Sequence, residues 1–274
     1  MTDSVKGNGK SQNMTFGGHL EVMRRMLFRM LAVALAIGVV VFCFKDLTFE
    51  LLLAPSHWDF VTYRWLENCM SAMSMDFKFE EFHVSMIATE LSSQFMTHIS
   101  TSFYLGLLFA SPYILYELFR FISPALYENE RKYATKTAVT IYILFIVGVL
   151  ITYFVLFPIS FRFLGTYSVS EEVVSNITID SYIGTFVSLT LVMGIVFQLP
   201  VIAFFLGKMG LISADMLAKY RKHAFILIML VAAIITPPDV MTLVLVTIPL
   251  YLLFELSIKV LKWTGKKKTS KKKT

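Results

Sequence analysis

The residues with the strongest claim to chemistry are polar side chains set within or at the ends of long apolar runs. Gln198 stands two places before Pro200, Glu255 closes another run, Glu117 and Arg120 end a third, and Arg29 lies near the start of a fourth. Such groups are costly in hydrocarbon and mark either function or a bond between helices. For Arg29, Glu117 and Arg120 the favoured reading is interfacial snorkelling or helix–helix hydrogen bonding. Gln198 is the leading functional candidate, because the nearby proline leaves a backbone carbonyl without its donor. Patterns for catalysis or metal binding are missing: His19, His57, His83, His98 and His223 are scattered, and no GxSxG elbow occurs. Gly7–Lys10 (GNGK) lacks the strand–loop–helix setting of a phosphate loop, and Asn176-Ile177-Thr178 is a chance-grade glycosylation match. Neither an enzyme nor a cofactor is expected.

The elements that position these groups follow from composition. The chain has 274 residues, 56% hydrophobic and 16% charged, with mean hydropathy +0.67. Soluble domains are about 45–50% apolar and about 25% charged, so a water-soluble fold is excluded. Disorder is excluded too, since 25 Phe, 12 Tyr and 15 Met could not remain solvated. Cys43 and Cys69 form no disulfide framework, and the polar N-terminus has no apolar core ahead of a cleavage site.

Apolar runs bounded by charge mark Met26–Phe44, Ile99–Leu118, Thr137–Phe157 and Tyr182–Leu206 as spans. The stretch Ala224–Leu256 is interrupted by Thr236-Pro237-Pro238-Asp239, which reads as a turn between two helices. The expectation is an all-α membrane protein of six transmembrane helices, the last two short: Ala224–Ile235 and Val240–Phe254 would measure only about 18 and 22 Å against a core of about 30 Å. The turn is therefore expected below the outer headgroups, drawing that leaflet down beside Gln198. Three parts are foreseen: an N-terminal segment 1–25, a membrane domain 26–262 with an outer cap loop 46–97, and a basic tail 263–274. In the cap, Trp58, Tyr63, Trp65, Phe77, Phe79 and Phe82 supply a small core, and Ile87–Phe103 reads as an amphipathic helix.

Lysine and arginine alternate between loops. Lys6, Lys10, Arg24 and Arg25 precede the first span; Arg120, Arg131, Lys132 and Lys136 follow the second; Lys208, Lys219, Arg221 and Lys222 follow the fourth. Six lysines fall between Lys266 and Lys273. The segment Asp46–Glu90 instead holds eight acidic residues, and Ser160–Asp180 holds three. By the positive-inside bias both termini are cytoplasmic. The lysine tail, with no interleaved aromatics, suits anionic lipid and not nucleic acid.

Several segments resemble the TatC family, the multispanning receptor of the twin-arginine protein translocase. They are GHLEVMRRML (Gly18–Leu27), LAP (Leu53–Pro55), SPYILYELFRFISPALYENERK (Ser111–Lys132), FLGTYSVS (Phe163–Ser170) loosely, FQLPV (Phe197–Val201), and TPPDV followed by IPLYLLFE (Thr236–Glu255). They fall in the family's order over nearly the whole chain, with the first outer loop and the two tails as exceptions. The resemblance implies a TatC-like concave bundle that binds twin-arginine signal peptides of folded cargo at the cytoplasmic face of the bacterial inner membrane. It implies assembly with TatA/TatB-type single-span subunits and further copies of itself, driven by the proton-motive force. Glu130 matches the family's acidic residue, framed by Phe121, Pro124 and Tyr127; Arg24 matches in the N-terminal motif. Pro55, Gln198 and Asp239 match positions tied to structure or partner contact; many members carry Glu at the place of Gln198. Where the family has glutamate three residues after the motif histidine, this chain has Val22; the adjacent Glu21 is rotated by about 100° on a helix. Carboxylates suit an arginine pair because each accepts both bonds of a guanidinium fork. A small-molecule secondary transporter is the alternative, but no internal repeat supports it; an intramembrane enzyme or structural assembly factor has less in its favour.

The topology is testable by cysteine labelling in intact cells, with Cys43 and Cys69 replaced. A cysteine at Met70 should react with an impermeant reagent and one at Asp215 should be protected; the reverse pattern contradicts it.

Overall fold

The computed structural model describes residues 16–72, 81–82, 84–122, 134–168, 170 and 176–271. Among them α1 (Phe16–Cys43) leads into a cap of α2 (Lys45–Leu53), a 3-10 turn (Ala54–Ser56) and α3 (Val61–Ala72). A two-residue β1 (Met86–Ile87) precedes α4 (Ser93–Ile122). Next come α5 (Ala134–Ile151), a π-helical turn (Thr152–Leu156) and α6 (Phe157–Thr166), which together make one long rod. Then β2 (Ile177–Thr178), α7 (Ile179–Val196), α8 (Leu199–Met209) and α9 (Ala214–Lys219) lead to the final hairpin, α10 (Arg221–Ile235) and α11 (Val240–Lys271).

Five helical stretches are long and apolar enough to cross a bilayer: Leu20–Cys43, Ser93–Leu118, Val139–Thr166, Ile179–Met209 and Val240–Trp263. The sixth, α10, has 15 residues, about 22 Å, and is short as expected. The hairpin's second arm corrects the sequence estimate. The apolar run ends near Phe254, but α11 continues as one helix of 32 residues, about 48 Å. Its charged lower turns remain helical because Lys is a good helix former. The cap is corrected as well. Met86 pairs in parallel with Ile177, and Ile87 with Thr178, so those two residues are extended, a turn follows, and the expected helix begins only at Ser93. Tyr63 and Phe82 fill the cap core as foreseen, while Trp58 and Trp65 are exposed. Phe77 and Phe79 lie outside the described residues.

The α1–α4 pair runs antiparallel. Phe42 stacks on His98 at one end with ring centroids 4.1 Å apart, and Arg29 meets Glu117 at the other. Small residues let the backbones touch. A Cβ on Gly106 would fall 2.6 Å from the Ala34 carbonyl oxygen and 2.7 Å from the Gly38 Cα. Without a hydrophobic force between helices in lipid, close packing of this kind supplies the attraction. The second core joins Leu156, Leu189, Met193 and Phe197 to Val246, Leu250 and Leu253 of α11.

The cap is tied to the bundle through carbonyls that prolines leave open. Pro55 has no N–H to return to Leu51, and the Tyr153 hydroxyl donates there at 2.8 Å. Pro158 likewise has none for Phe154, and the Thr62 hydroxyl donates to that carbonyl. Tyr182 donates to Leu52 O at 2.8 Å. Tyr63 lies 2.8 Å from Pro158 O and 3.2 Å from Pro55 O; burial pushes its phenol above the ordinary range, keeping it a neutral donor. At the same end Asp180 accepts from the hydroxyls of Ser93 and Thr97, joining α7 to α4.

Two glycine substitutions test the close crossing. Gly106→Val should cost about 1–3 kcal/mol or more through overpacking and lower the thermal midpoint of the purified protein. Gly184→Ala, whose new Cβ meets nothing within 4 Å, should leave it unchanged or raise it. Equal midpoints for wild type and Gly106→Val contradict the packing.

Candidate functional site

The end of the bundle formed by the start of α1 and the end of α4 gathers arginines and carboxylates. Glu117 has a side chain only 6% exposed. Arg29 reaches its Oε2 from α1 at 3.6 Å, Arg120 lies 4.0 Å from its Oε1 on the same helix, and the Tyr113 hydroxyl donates at 3.2 Å. The reading of Arg29, Glu117 and Arg120 as helix–helix partners thus holds for Arg29 with Glu117. Both arginines remain largely solvent-facing, at 54% and 65%. Nearer the chain start, Glu21 accepts from Arg25 one helical turn away at 2.6 Å, while Arg24 and Val22 are exposed. Phe121 stands one turn beyond Glu117 on α4. Glu21, Arg24 and Phe121 therefore belong to one end of the molecule. Glu130, Pro124 and Tyr127 lie outside the described residues.

The other three sequence candidates occupy different places. Gln198 sits in the break between α7 and α8, where Pro200 has no N–H for the Val196 carbonyl. Its buried Nε2 donates to Ile141 O at 3.1 Å and Gly194 O at 3.3 Å, stitching α5 to the break, and its Oε1 has no partner among the described residues. As a neutral amide it carries no titratable proton. Asp239 caps α11 by accepting from Thr242 N at 2.6 Å, with Oδ2 buried and without a partner among the described residues. Pro55, buried in the 3-10 turn, ends α2 within the cap. Each of the three governs a local chain reversal or break, and they do not converge.

Glu255 also resolves into a structural pair. Arg221, at the first turn of α10, donates from Nε at 2.6 Å and Nη2 at 3.0 Å to its two oxygens, a bidentate clamp across the final hairpin. In the sequence Arg221 stands only as one of the loop cations after the fourth span; the 34-residue separation hides the pairing. No group of three or more His, Cys, Asp or Glu able to hold a metal occurs among the described residues.

A family model for the Sec-independent protein translocase protein TatC matches residues 18–249. The chain belongs to the TatC family. The TatC protein of Blattabacterium sp. subsp. Periplaneta americana (strain BPLAN) is 33% identical over 263 residues, 94% of this chain and 99% of that protein. The Escherichia coli (strain K12) TatC is 37% identical over 174 residues, 64% of this chain and 67% of that protein. Among solved structures, the crystal structure of the twin-arginine translocase receptor TatC superposes with a TM-score of 0.71 at 30% identity, covering 90% of this chain and 99% of that one. The six-helix architecture is thus that of TatC, and the transporter alternative is not favoured.

Proposed function

We propose that this chain is the receptor subunit of a twin-arginine translocase in the bacterial inner membrane, with both termini and the arginine-rich end facing the cytoplasm. The observation that carries the reading is the match of nearly the whole chain, in sequence and in fold, to a protein named as the twin-arginine translocase receptor. Glu130 takes the arginine pair of a signal peptide, Phe121, Pro124 and Tyr127 frame it, and Arg24 and Glu21 border the site. Because Glu21 already holds Arg25, it contributes little free acceptor capacity. TatA/TatB-type single-span subunits and further copies of the chain assemble around it, with Pro55, Gln198 and Asp239 shaping the elements they contact. Folded cargo then crosses on the proton-motive force, with no catalytic step in this chain, and the Lys266–Lys273 tail rests on anionic lipid.

A signal peptide with twin arginines should retain the purified protein on a column, and its Lys-Lys version should not. Glu130→Ala should abolish retention and export of a twin-arginine reporter while the protein still inserts. Normal export in that variant removes Glu130 from the site, and equal retention by both peptides contradicts the receptor reading.

A further inference from the structure

The carboxylates at the arginine-rich end differ in how fully they are already used. Glu21 holds Arg25 at 2.6 Å, and Glu255 is clamped bidentately by Arg221. Asp215 is exposed at the first turn of α9, where water screens any pairing. Glu117 alone among the described carboxylates at this end is both buried and loosely met. Its contacts at 3.6 and 4.0 Å are well beyond the 2.7–2.9 Å or so of a charge-assisted hydrogen bond. Among the described residues the Tyr113 hydroxyl is its one hydrogen-bond donor. A carboxylate accepts about four hydrogen bonds, so most of its capacity is unspent at the point where the apolar part of α4 ends, at Leu118.

The two arginines beside it are built to move. Arg29 comes from α1 and Arg120 from α4, and both side chains are more than half exposed. Each keeps enough charge near the carboxylate to make its burial tolerable, and neither is fixed to it by a fork. A pair of guanidinium groups around one carboxylate is also what a twin-arginine segment would present. An incoming arginine could replace a resident one with no change in the local charge count.

We propose that Glu117 is an arginine-receiving carboxylate held in reserve by Arg29 and Arg120, which a twin-arginine segment displaces. The proposal rests on the receptor reading above and adds a specificity-determining residue to it. Glu117 then accepts a guanidinium of the incoming segment in place of a resident one. The resident arginines act as competitors that set the affinity threshold, so a segment with two arginines gains over one with a single arginine.

The test measures binding of a fluorescent twin-arginine signal peptide, and of its Lys-Lys version, to the full chain in nanodiscs. Wild type should prefer the arginine peptide; no preference overturns the receptor reading and this proposal with it. Given that preference, Glu117→Gln should weaken arginine-peptide binding roughly tenfold or more. Arg29→Gln and Arg120→Gln should each tighten it, an effect misfolding cannot mimic. In the Glu117→Gln background the tightening should vanish, because it acts through that carboxylate. Unchanged binding in Glu117→Gln, or tightening by Arg29→Gln that persists without Glu117, overturns the proposal and leaves the receptor reading standing.

Discussion

A backbone carbonyl that a proline leaves without its helical donor needs another partner, and a hydroxyl on a neighbouring element can supply it. Prolines create such carbonyls, and the fold is organised around the ones at Leu51 and Phe154. Tyr153 answers the first and Thr62 the second, across sequence separations of 102 and 92 residues. These bonds run in opposite directions between the cap and the α5–α6 rod, so each element completes the other. With Tyr63 and Tyr182 added, the cap becomes part of one end of the bundle and not a loose loop. The same constraint shapes Gln198, whose amide bridges Ile141 and Gly194 at the break before Pro200.

At the opposite end the constraint is electrostatic. A carboxylate at the edge of hydrocarbon needs a positive partner, and the partner's reach decides whether the pair is permanent. Arg221 and Glu255 make a fork that closes the final hairpin. Arg29 and Glu117 meet at a longer distance, over two helices whose glycines already press their backbones together. Packing through Gly38 and Gly106 holds α1 to α4 without help from the charges at their end. The cap end is therefore tied by neutral hydroxyl–carbonyl bonds, and the end where α1 begins and α4 ends by ion pairs.

Much of this was legible in one dimension. Apolar runs bounded by lysine and arginine located the spans, Thr236-Pro237-Pro238-Asp239 located the hairpin turn, and the ordered motifs pointed to the family. What was not legible depended on distant partners. Nothing near Met86 announces Ile177, so a β-bridge segment resembled the start of an amphipathic helix. The end of the apolar run near Phe254 suggested a helix end, yet helical hydrogen bonds need no apolar side chains and α11 continues to Lys271. Pro55 and Asp239 stood out as motif residues, but their local work, ending α2 and capping α11, shows only when the carbonyls and N–H groups around them are traced.

The central claim is that an arginine pair is recognised where α1 begins and α4 ends. Photo-crosslinking from single positions addresses it most directly, with a benzoylphenylalanine at Leu118 or Phe121 for that end and at Leu164 for the other. A twin-arginine signal peptide should form adducts from Leu118 and Phe121 and none from Leu164, and its Lys-Lys version should form none. Adducts from Leu164, or equal adducts with both peptides at Phe121, would contradict the account.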